Sequence, residues 1–362
     1  MKIAFYAPLK SPDHPVPSGD RLMARQLWKA LERGGHEVKL VSDLRSFSAT
    51  PDVPEELIRQ ARDESERIAT DFAKNGKPDL WFCYHPYYKS PDLLGPALCQ
   101  QHGIAYVTAE SSYSQRRNIG GWARSQQKVL EGIRLAKVNI CLTQRDRQGL
   151  LHAQPDARCA YVPPFIDTEP FLTVQPEPVP GNLVTIAMMR AGDKLSSYEA
   201  LAKALKRLAA EEWTLTVVGD GPVAEAVREL FAPLGERVRF DGQLPPDKIV
   251  SVLKTGALYL WPGHGEAYGL AYLEAQAAGL AVVAEGVAGV PEVVHHKVSG
   301  LLTAPGDTDA YANAIRQLLR DDKYRKQLSE NARHMAQERH SLDAASRDIN
   351  RILAEALECG NE

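Results

Sequence analysis

The sequence predicts an α/β protein made of two doubly wound domains. Three observations carry that expectation. Short apolar runs alternate with longer amphipathic segments, the pattern of a mostly parallel sheet covered on both faces. The alternation runs twice. Between the two series lies TVQPEPVPGN at 173–182, whose three prolines and one glycine cannot continue a helix or a central strand. The length, 362 residues, suits about two domains.

The first series opens with a strand over 2–9. Residues 18–33 place Leu22, Leu27 and Leu31 at helical spacing and stop at Gly34-Gly35, where glycine commonly ends a helix. A strand over 37–42, a charged helix over 54–75 and a buried strand over 79–84 follow. Further strands are expected at 104–108, 138–143 and 158–162, with helices between most of them, among them 121–136. The second series places strands at 183–188, 213–218, 238–240, 257–261 and 281–284. Helices at about 196–211, 222–233, 247–254 and 268–278 separate them, and from Asp307 the chain reads as nearly all helical. The last segment, 341–358, is amphipathic and is expected to pack back on the first domain. The expected division is therefore 1–172, a linker at 173–182, and 183–340. Two such domains facing one another place a ligand cleft at the carboxyl ends of their strands.

Composition narrows the function. Apolar residues make up 44% and charged residues 25%, as in ordinary globular proteins, and no apolar run reaches the roughly 20 residues a membrane span needs. MKIAFYAPLK reads as a first strand rather than a signal peptide. The formal charge of −3 argues against nucleic acid as the partner. Residues 1–170 carry +3 and the remainder −6, too small a contrast to assign a partner. Cys83, Cys99, Cys141, Cys159 and Cys359 form no CxxC pair and read as reduced cytosolic thiols, not metal ligands.

The most informative stretch is PGHGEAYGLAYLEAQAAGLAVVA at 262–284. A strand ends at Trp261, a loop with Gly263 and Gly265 leads to Glu266, and a helix begins near Gly269. A helix start offers unpaired N–H groups and a positive dipole end, a ready site for phosphate. Glu274, eight residues after Glu266, lies on that helix, where its carboxylate can accept hydrogen bonds from a ribose diol. Glu266 can reach a hydroxylated ring bonded to the far phosphate. An isolated pair of this spacing would be a solvated helix face; the strand, glycine loop, helix and following strand raise the odds of a nucleotide diphosphate sugar site.

The block from Glu266 to Glu274, followed by AQAAGLAVVAEGVAGVPEVV and SGLLTAPGD, resembles the donor site of the GT-B-fold glycosyltransferases of family 4. The resemblance covers nearly the whole chain and is most specific from Arg190 to Asp307. It implies two Rossmann-like domains facing an interdomain cleft, a retaining and metal-independent reaction, and no cofactor beyond the donor. Arg190 and Lys194 match the family's cations that neutralise the leaving diphosphate, although Leu195 stands where a glycine is usual. Donor contacts are implied for Tyr268, Gly269, Leu270 and Glu274. Gly242 and Leu244, in VRFDGQL, match the loop against the base. Gly19 matches the glycine-rich loop before the first helix, where its backbone N–H is implied to approach the donor phosphate. Most relatives have a second glycine where Asp20 stands; that acid can touch the acceptor or cap the helix, and capping is the expectation. Glu110 stands where the family often carries a histidine near the transferred sugar. It can hydrogen-bond the sugar or acceptor, act as a base, or pair with Arg116 or Arg117. His85 is expected to line the same cleft, with no catalytic role assigned.

Other patterns compete. Gly219, Gly221 and Ala224 fit G-x-G-x-x-A after a strand, with Asp241 about 20 residues on, as in dinucleotide-binding proteins; the resemblance instead implies a turn beside the donor, with Gly219 among its contacts. Asp307-Thr308-Asp309 spells a D-x-D metal motif, but its position favours helix capping. His295-His296 lacks partners at zinc spacing. Trp122, Arg124, Lys128 and Arg134 on 121–136 can meet a membrane surface or form an ordinary solvated basic face.

The expected function is transfer of a sugar from a nucleotide diphosphate sugar, UDP slightly ahead of GDP, to the hydroxyl of a glycan, lipid-linked glycan or small molecule. The expected place is the cytoplasm, with transient contact at the inner face of a membrane. Three alternatives stay open: a nucleotide-sugar epimerase or hydrolase, an NAD(P)-dependent oxidoreductase built on Gly219 and Gly221, and a nucleotide-sugar-binding protein without turnover.

Overall fold

A computed structural model describes residues 1–16, 18–51 and 53–358. The chain divides into two compact units, one of Met1–Pro163 with the chain from Leu342, the other Pro164–Ser341.

The first unit runs β1 (Lys2–Tyr6), α1 (Gly19–Arg33), β2 (Glu37–Ser42), α2 (Glu55–Asn75), β3 (Leu80–Tyr84), α3 (Gly95–His102), β4 (Ala105–Ala109), α4 (Gly121–Leu135), β5 (Val138–Cys141), α5 (Gln144–Ala153) and β6 (Cys159–Tyr161). Its strands lie in the order β2-β1-β3-β4-β5-β6, all parallel. Every residue of β3 is buried, as a central strand covered on both faces requires. Phe82 on β3 stacks on Phe5 of β1, ring centroids 5.7 Å apart. Cys83, Cys99 and Cys141 are buried free thiols and Cys159 is half-buried; Cys359 lies outside the described residues.

The second unit runs α6 (Glu169–Leu172), β7 (Asn182–Ile186), α7 (Asp193–Lys206), β8 (Thr214–Val218), α8 (Ala224–Phe231), β9 (Val238–Gly242), α9 (Pro246–Thr255), β10 (Leu258–Leu260), α10 (Leu270–Ala277), β11 (Ala281–Glu285), β12 (Gly300–Thr303), α11 (Thr308–Arg320) and α12 (Asp322–Arg339). Its order is β12-β11-β10-β7-β8-β9, again parallel. The two-domain α/β class read from the sequence is therefore observed, with β12 as a strand the apolar pattern left unassigned. GLLT is too short to show a period. In each sheet the first strand, β1 or β7, sits between neighbours reached in opposite directions. That is the switch point at which such sheets open a crevice beyond their carboxyl ends.

The last helix, α13 (Leu342–Glu358), packs on α1 of the first unit. Ser346 Oγ donates to the Ala30 carbonyl at 2.8 Å, and Asn350 Nδ2 to the Gly34 carbonyl at 3.0 Å. A Cβ on Gly34 would strike the Asn350 side chain, so a larger residue at this helix end would displace it.

The boundary between units falls earlier than residue 172. Arg333 of α12 donates to the carbonyls of Leu172 at 2.7 Å, Val174 at 3.1 Å and Ala277 at 3.0 Å. The N–H groups of Glu177 and Val179 bond the Lys254 and Thr255 carbonyls at the end of α9. The proline-rich stretch is thus pinned to the second unit by backbone hydrogen bonds. Proline spacing in a sequence does not reveal such bonds.

Candidate active site

The second unit gathers its glycine loops at the carboxyl ends of β7, β8 and β10. The loop after β10 is seated on the first turn of α7. The His264 N–H donates to Ser197 Oγ at 3.0 Å, and a Cβ on Gly265 would strike the Asp193 carboxylate. Gly263, Gly265 and Gly269 all have positive φ, a conformation that costs glycine nothing. This seating brings together two residues 72 positions apart: Lys194 Nζ pairs with Glu266 Oε1. The same oxygen accepts from Trp261 Nε1 at 3.0 Å, and Lys194 lies 5.5 Å from the Trp261 ring centroid. Arg190 is exposed on the loop between β7 and α7.

Gly269, in the left-handed region, caps α10, and its Cβ would lie 2.6 Å from the Tyr272 ring. Leu270 opens the helix and Tyr268 is buried beneath the loop. Glu274 sits one turn in, half-buried, and no described residue hydrogen-bonds its carboxylate. Burial pushes its carboxyl up to about 7. A carboxylate desolvated without a partner gains from any ligand that offers it hydroxyl donors.

Gly219 and Gly221 have a reason inside the protein. A Cβ on Gly219 would strike the Ala187 carbonyl, and one on Gly221 the Met189 carbonyl, so the loops after β7 and β8 pack backbone to backbone. Asp241 is paired with Arg239 at 2.8 Å. The dinucleotide pattern is thereby accounted for by loop packing. Gly242 has positive φ, and its carbonyl accepts from the Gly219 N–H at 2.8 Å. Leu244 is half-buried in the loop before α9. Asp307 caps α11 by accepting from the Ala310 N–H at 2.8 Å, and Asp309 pairs with Arg207. Among the described residues no three His, Cys, Asp or Glu side chains cluster as a metal site.

The first unit presents a different group at the same place in its sheet. His85 follows β3 and Glu110 follows β4, and both are non-glycine residues in the left-handed region, with φ of 59° and 56°. The His85 N–H donates to the Ala109 carbonyl, which fixes the two strand ends side by side. Asp20, on the first turn of α1, is not the helix cap. Ser18 accepts the Arg21 N–H, and Asp20 Oδ1 instead faces His85 Nδ1 at 3.3 Å. The serine wins because it stands at the extended position before the helix, where a side chain can fold back. Burial alone would raise Asp20, but the nearby His85 ring outweighs it and leaves the carboxyl below its usual range. Burial would lower His85, but Asp20 and Glu110 hold it above the usual imidazole value. Glu110 is raised, by burial first, with His85 and a hydrogen bond from Tyr84 offsetting part of that. Arg117 does not pair with Glu110; it lies over the Tyr88 ring, 5.6 Å from the centroid. Gly19 opens α1 with nothing within 4 Å of where its Cβ would be, so the protein's own packing does not require glycine there.

On α4, Trp122 is buried, Lys128 pairs with Glu131 at 2.9 Å and Arg134 with Gln154, while Arg124 is exposed. No described helix is long and apolar enough to cross a membrane. Sequence reasoning missed His264, Glu285 and the serines of α7. The one available signal was Glu285 itself, an acid closing the apolar strand AVVAE.

Residues 174–335 match the family model of glycosyl transferases group 1. The chain is 28% identical over 291 residues to a D-inositol 3-phosphate glycosyltransferase of Frankia alni, covering 71% of this chain and 70% of that one. Its fold matches sucrose-phosphate synthase from Thermosynechococcus elongatus with a TM-score of 0.77 at 20% identity, over 99% of both chains. It also matches Anabaena HepE in complex with UDP-glucose, with a TM-score of 0.70 at 18% identity, over 98% of this chain and 100% of that one. Residues 174–335 thus match the glycosyl transferases group 1 family model, on a chain whose two α/β units share the fold of these GT-B structures.

Proposed function

We propose that this chain is a retaining, metal-independent glycosyltransferase of family 4 that moves a sugar from a nucleotide diphosphate donor to an acceptor hydroxyl. The observation that carries the reading is the Lys194–Glu266 pair beside the start of α10, with the unpartnered Glu274 one turn further in. A donor diphosphate at this helix start meets free N–H groups and a positive dipole end. Lys194 and Arg190 supply the charge that stabilises it as it leaves, without a metal ion. Glu266, adjoining Lys194, is then placed at the transferred sugar, and Glu274 at the ribose. Tyr268, Gly269, Leu270, Gly219, Gly242 and Leu244 belong to the loops around this donor. A UDP-sugar is the favoured donor, since the HepE complexes contain UDP and UDP-glucose.

Acceptor recognition falls to the first unit. Glu110, His85 and Asp20 offer hydrogen-bond acceptors and a shared proton to a hydroxyl, and the open space at Gly19 admits a ligand to the helix start. The leaving phosphate helps take the acceptor proton in a front-face displacement. An oxidoreductase is disfavoured because Gly219 and Gly221 are explained by packing. An epimerase would convert donor without acceptor, and a binding protein would consume none.

The test is internal to the donor site. Glu274→Ala removes a contact made in ground and transition states alike, so donor KM should rise by the equivalent of roughly 1.5–3 kcal/mol with kcat little changed. Glu266→Gln keeps shape and removes charge, so it should lower kcat more than it weakens UDP binding. Slow donor hydrolysis suffices as readout. Equal loss of UDP affinity in both variants, with turnover of bound donor unaffected in Glu266→Gln, would refute the assignment. Protection against thermal unfolding by NADH but not by UDP would refute the donor class.

A further inference from the structure

Behind the donor loop lies a second set of polar groups that makes no direct approach to the proposed substrate. Glu285 closes β11 and is 2% exposed. It grips the loop after β10 twice. Its N–H donates to the Pro262 carbonyl at 3.0 Å, and its Oε2 faces His264 Nε2 at 3.2 Å. The same Oε2 accepts the Gly306 N–H at 3.0 Å, which ties in the turn before α11. On its other side, His264 Nδ1 meets Ser196 Oγ of α7 at 2.9 Å. One imidazole thus links the end of β11, the glycine loop and the first turn of α7, and Glu266 stands two residues further along that loop.

The chemistry of the row excludes a hydrolytic triad. Ser196 Oγ also sits 3.0 Å from the Asp193 carbonyl and is held within the helix turn. Its role is to receive the imidazole. Nε2 faces the Glu285 carboxylate and Nδ1 faces Ser196 Oγ, whose own proton goes to the Asp193 carbonyl. Both ring nitrogens are then satisfied and the ring cannot swing. The glycines around His264 give the loop no side-chain anchor of their own: Gly263 and Gly265 flank it. Besides the Lys194–Glu266 pair, the loop is held on α7 by this side chain and by the backbone bond to Ser197.

We infer that His264 and Glu285 are positioning residues that hold the glycine loop on α7 so that Glu266 faces Lys194. The inference rests on the donor-site reading above. It separates the two glutamates by their supports. Glu266 rides on the loop and depends on His264, whereas Glu274 rides on α10, whose inward face is packed by Leu270, Tyr272, Leu273 and Ala277. Loss of His264 should therefore move the residue at the sugar and spare the contact to the nucleotide.

The experiment compares wild type with His264→Ala, His264→Gln and Glu285→Gln on the full chain. UDP, GDP and ADP are titrated by calorimetry, and turnover of UDP-glucose, GDP-mannose or ADP-glucose is followed well below each variant's Tm. In His264→Ala, kcat should fall about 10- to 100-fold, the loss a misplacement near 1 Å produces, with nucleotide Kd within about threefold of wild type. The glutamine amide of His264→Gln can still donate to Glu285, so that variant should recover most of the lost turnover. Glu285→Gln should fall between them, and it serves if His264→Ala does not fold. Amide exchange over 262–269 should speed up in His264→Ala and return towards wild type in His264→Gln. Unchanged kcat in His264→Ala and Glu285→Gln, equal impairment of His264→Ala and His264→Gln, or nucleotide affinity lost in proportion to kcat would each overturn the inference. Wild type that binds none of the three nucleotides would overturn the donor-site reading itself, and the inference with it.

Discussion

The two units place crevices at the same point of two similar sheets and furnish them differently. In the second unit the strand ends turn through glycines, Gly219, Gly221, Gly263, Gly265 and Gly269, and the charged groups are Lys194, Arg190 and two glutamates. Backbone N–H groups can approach a ligand there because no Cβ intervenes. In the first unit the corresponding turns are made by His85 and Glu110, and the group is a histidine among carboxylates. On the proposed reading, one crevice takes a fixed anion and the other takes hydroxyls and a proton. Backbone strain is absent from the first kind of site, where glycine removes it. In the second kind it is present at His85 and Glu110, the two side chains proposed to meet the acceptor.

The sharpest way to break this contrast is to remove its cation. Lys194→Ala should lower turnover roughly 100- to 1000-fold, the range for loss of one group that stabilises developing charge, and wild-type activity should survive EDTA. His85→Asn in the other crevice should reduce turnover while leaving UDP-glucose affinity near wild type. If His85→Asn weakens UDP-glucose as much as Lys194→Ala does, the division of labour fails. The glycine side of the contrast is tested by Gly219→Ala. With φ of 140° and the Ala187 carbonyl in the way, it should cost about 3 kcal/mol or more in urea unfolding. A loss below about 1 kcal/mol would mean the two loops can part.

A smaller effect separates the carboxylates. Glu274 is raised to about 7 by burial, and a diol bonded to it favours the ionised form. Affinity for UDP-glucose should therefore be full near pH 8 and fall as pH drops through 7 towards 6. The loss is bounded by the same roughly 1.5–3 kcal/mol as the contact itself. UDP-glucose is the proper probe because its diphosphate does not titrate in that window. A Glu274→Gln variant should flatten the curve; an unchanged pH dependence in that variant would assign the titration elsewhere.

The contrast also explains what could be read in advance. The second unit was legible because its chemistry is punctuated by glycine: a strand, a glycine loop, an acid and a helix are local signals, and Glu266 and Glu274 fall inside one short stretch. The pairing of Lys194 with Glu266 is not local, since it depends on how one loop sits on another strand's helix. The first unit was less legible. Nothing in YHPYY or TAESS announces left-handed backbone at His85 and Glu110, because the neighbouring strands impose it through the bond from His85 to Ala109. Asp20 misled for a related reason. Both Ser18 and Asp20 suit a helix start, and only the register of the first turn decides which one caps.

The smallest effect bears on the strain at Glu110. A left-handed conformation costs a non-glycine residue about 1–2 kcal/mol, and glycine gives back about 0.5–1 kcal/mol through its freer unfolded chain. Glu110→Gly should thus be neutral to slightly stabilising, by about 1 kcal/mol at most, while turnover falls. The pH dependence gives the sign. Burial holds the Glu110 carboxyl above its unfolded value, so the folded protein binds that proton more tightly. Stability is lost as pH rises from the unfolded value, near 4.5, through the folded one. His85 is raised as well, partly by Glu110, so its contribution is present below about pH 6.5 and fades as pH climbs through its folded value. Below pH 6.5 the variant loses part of what His85 gains from its neighbour, which masks the relief. Above the folded value of His85 only the cost of burying the Glu110 carboxyl remains. The advantage of Glu110→Gly in urea midpoint should therefore be greater at pH 8.5 than at pH 5.5. An advantage that shrinks with rising pH would mean that Glu110 is held charged by its neighbours, and that the first crevice is an ion-pair site like the second.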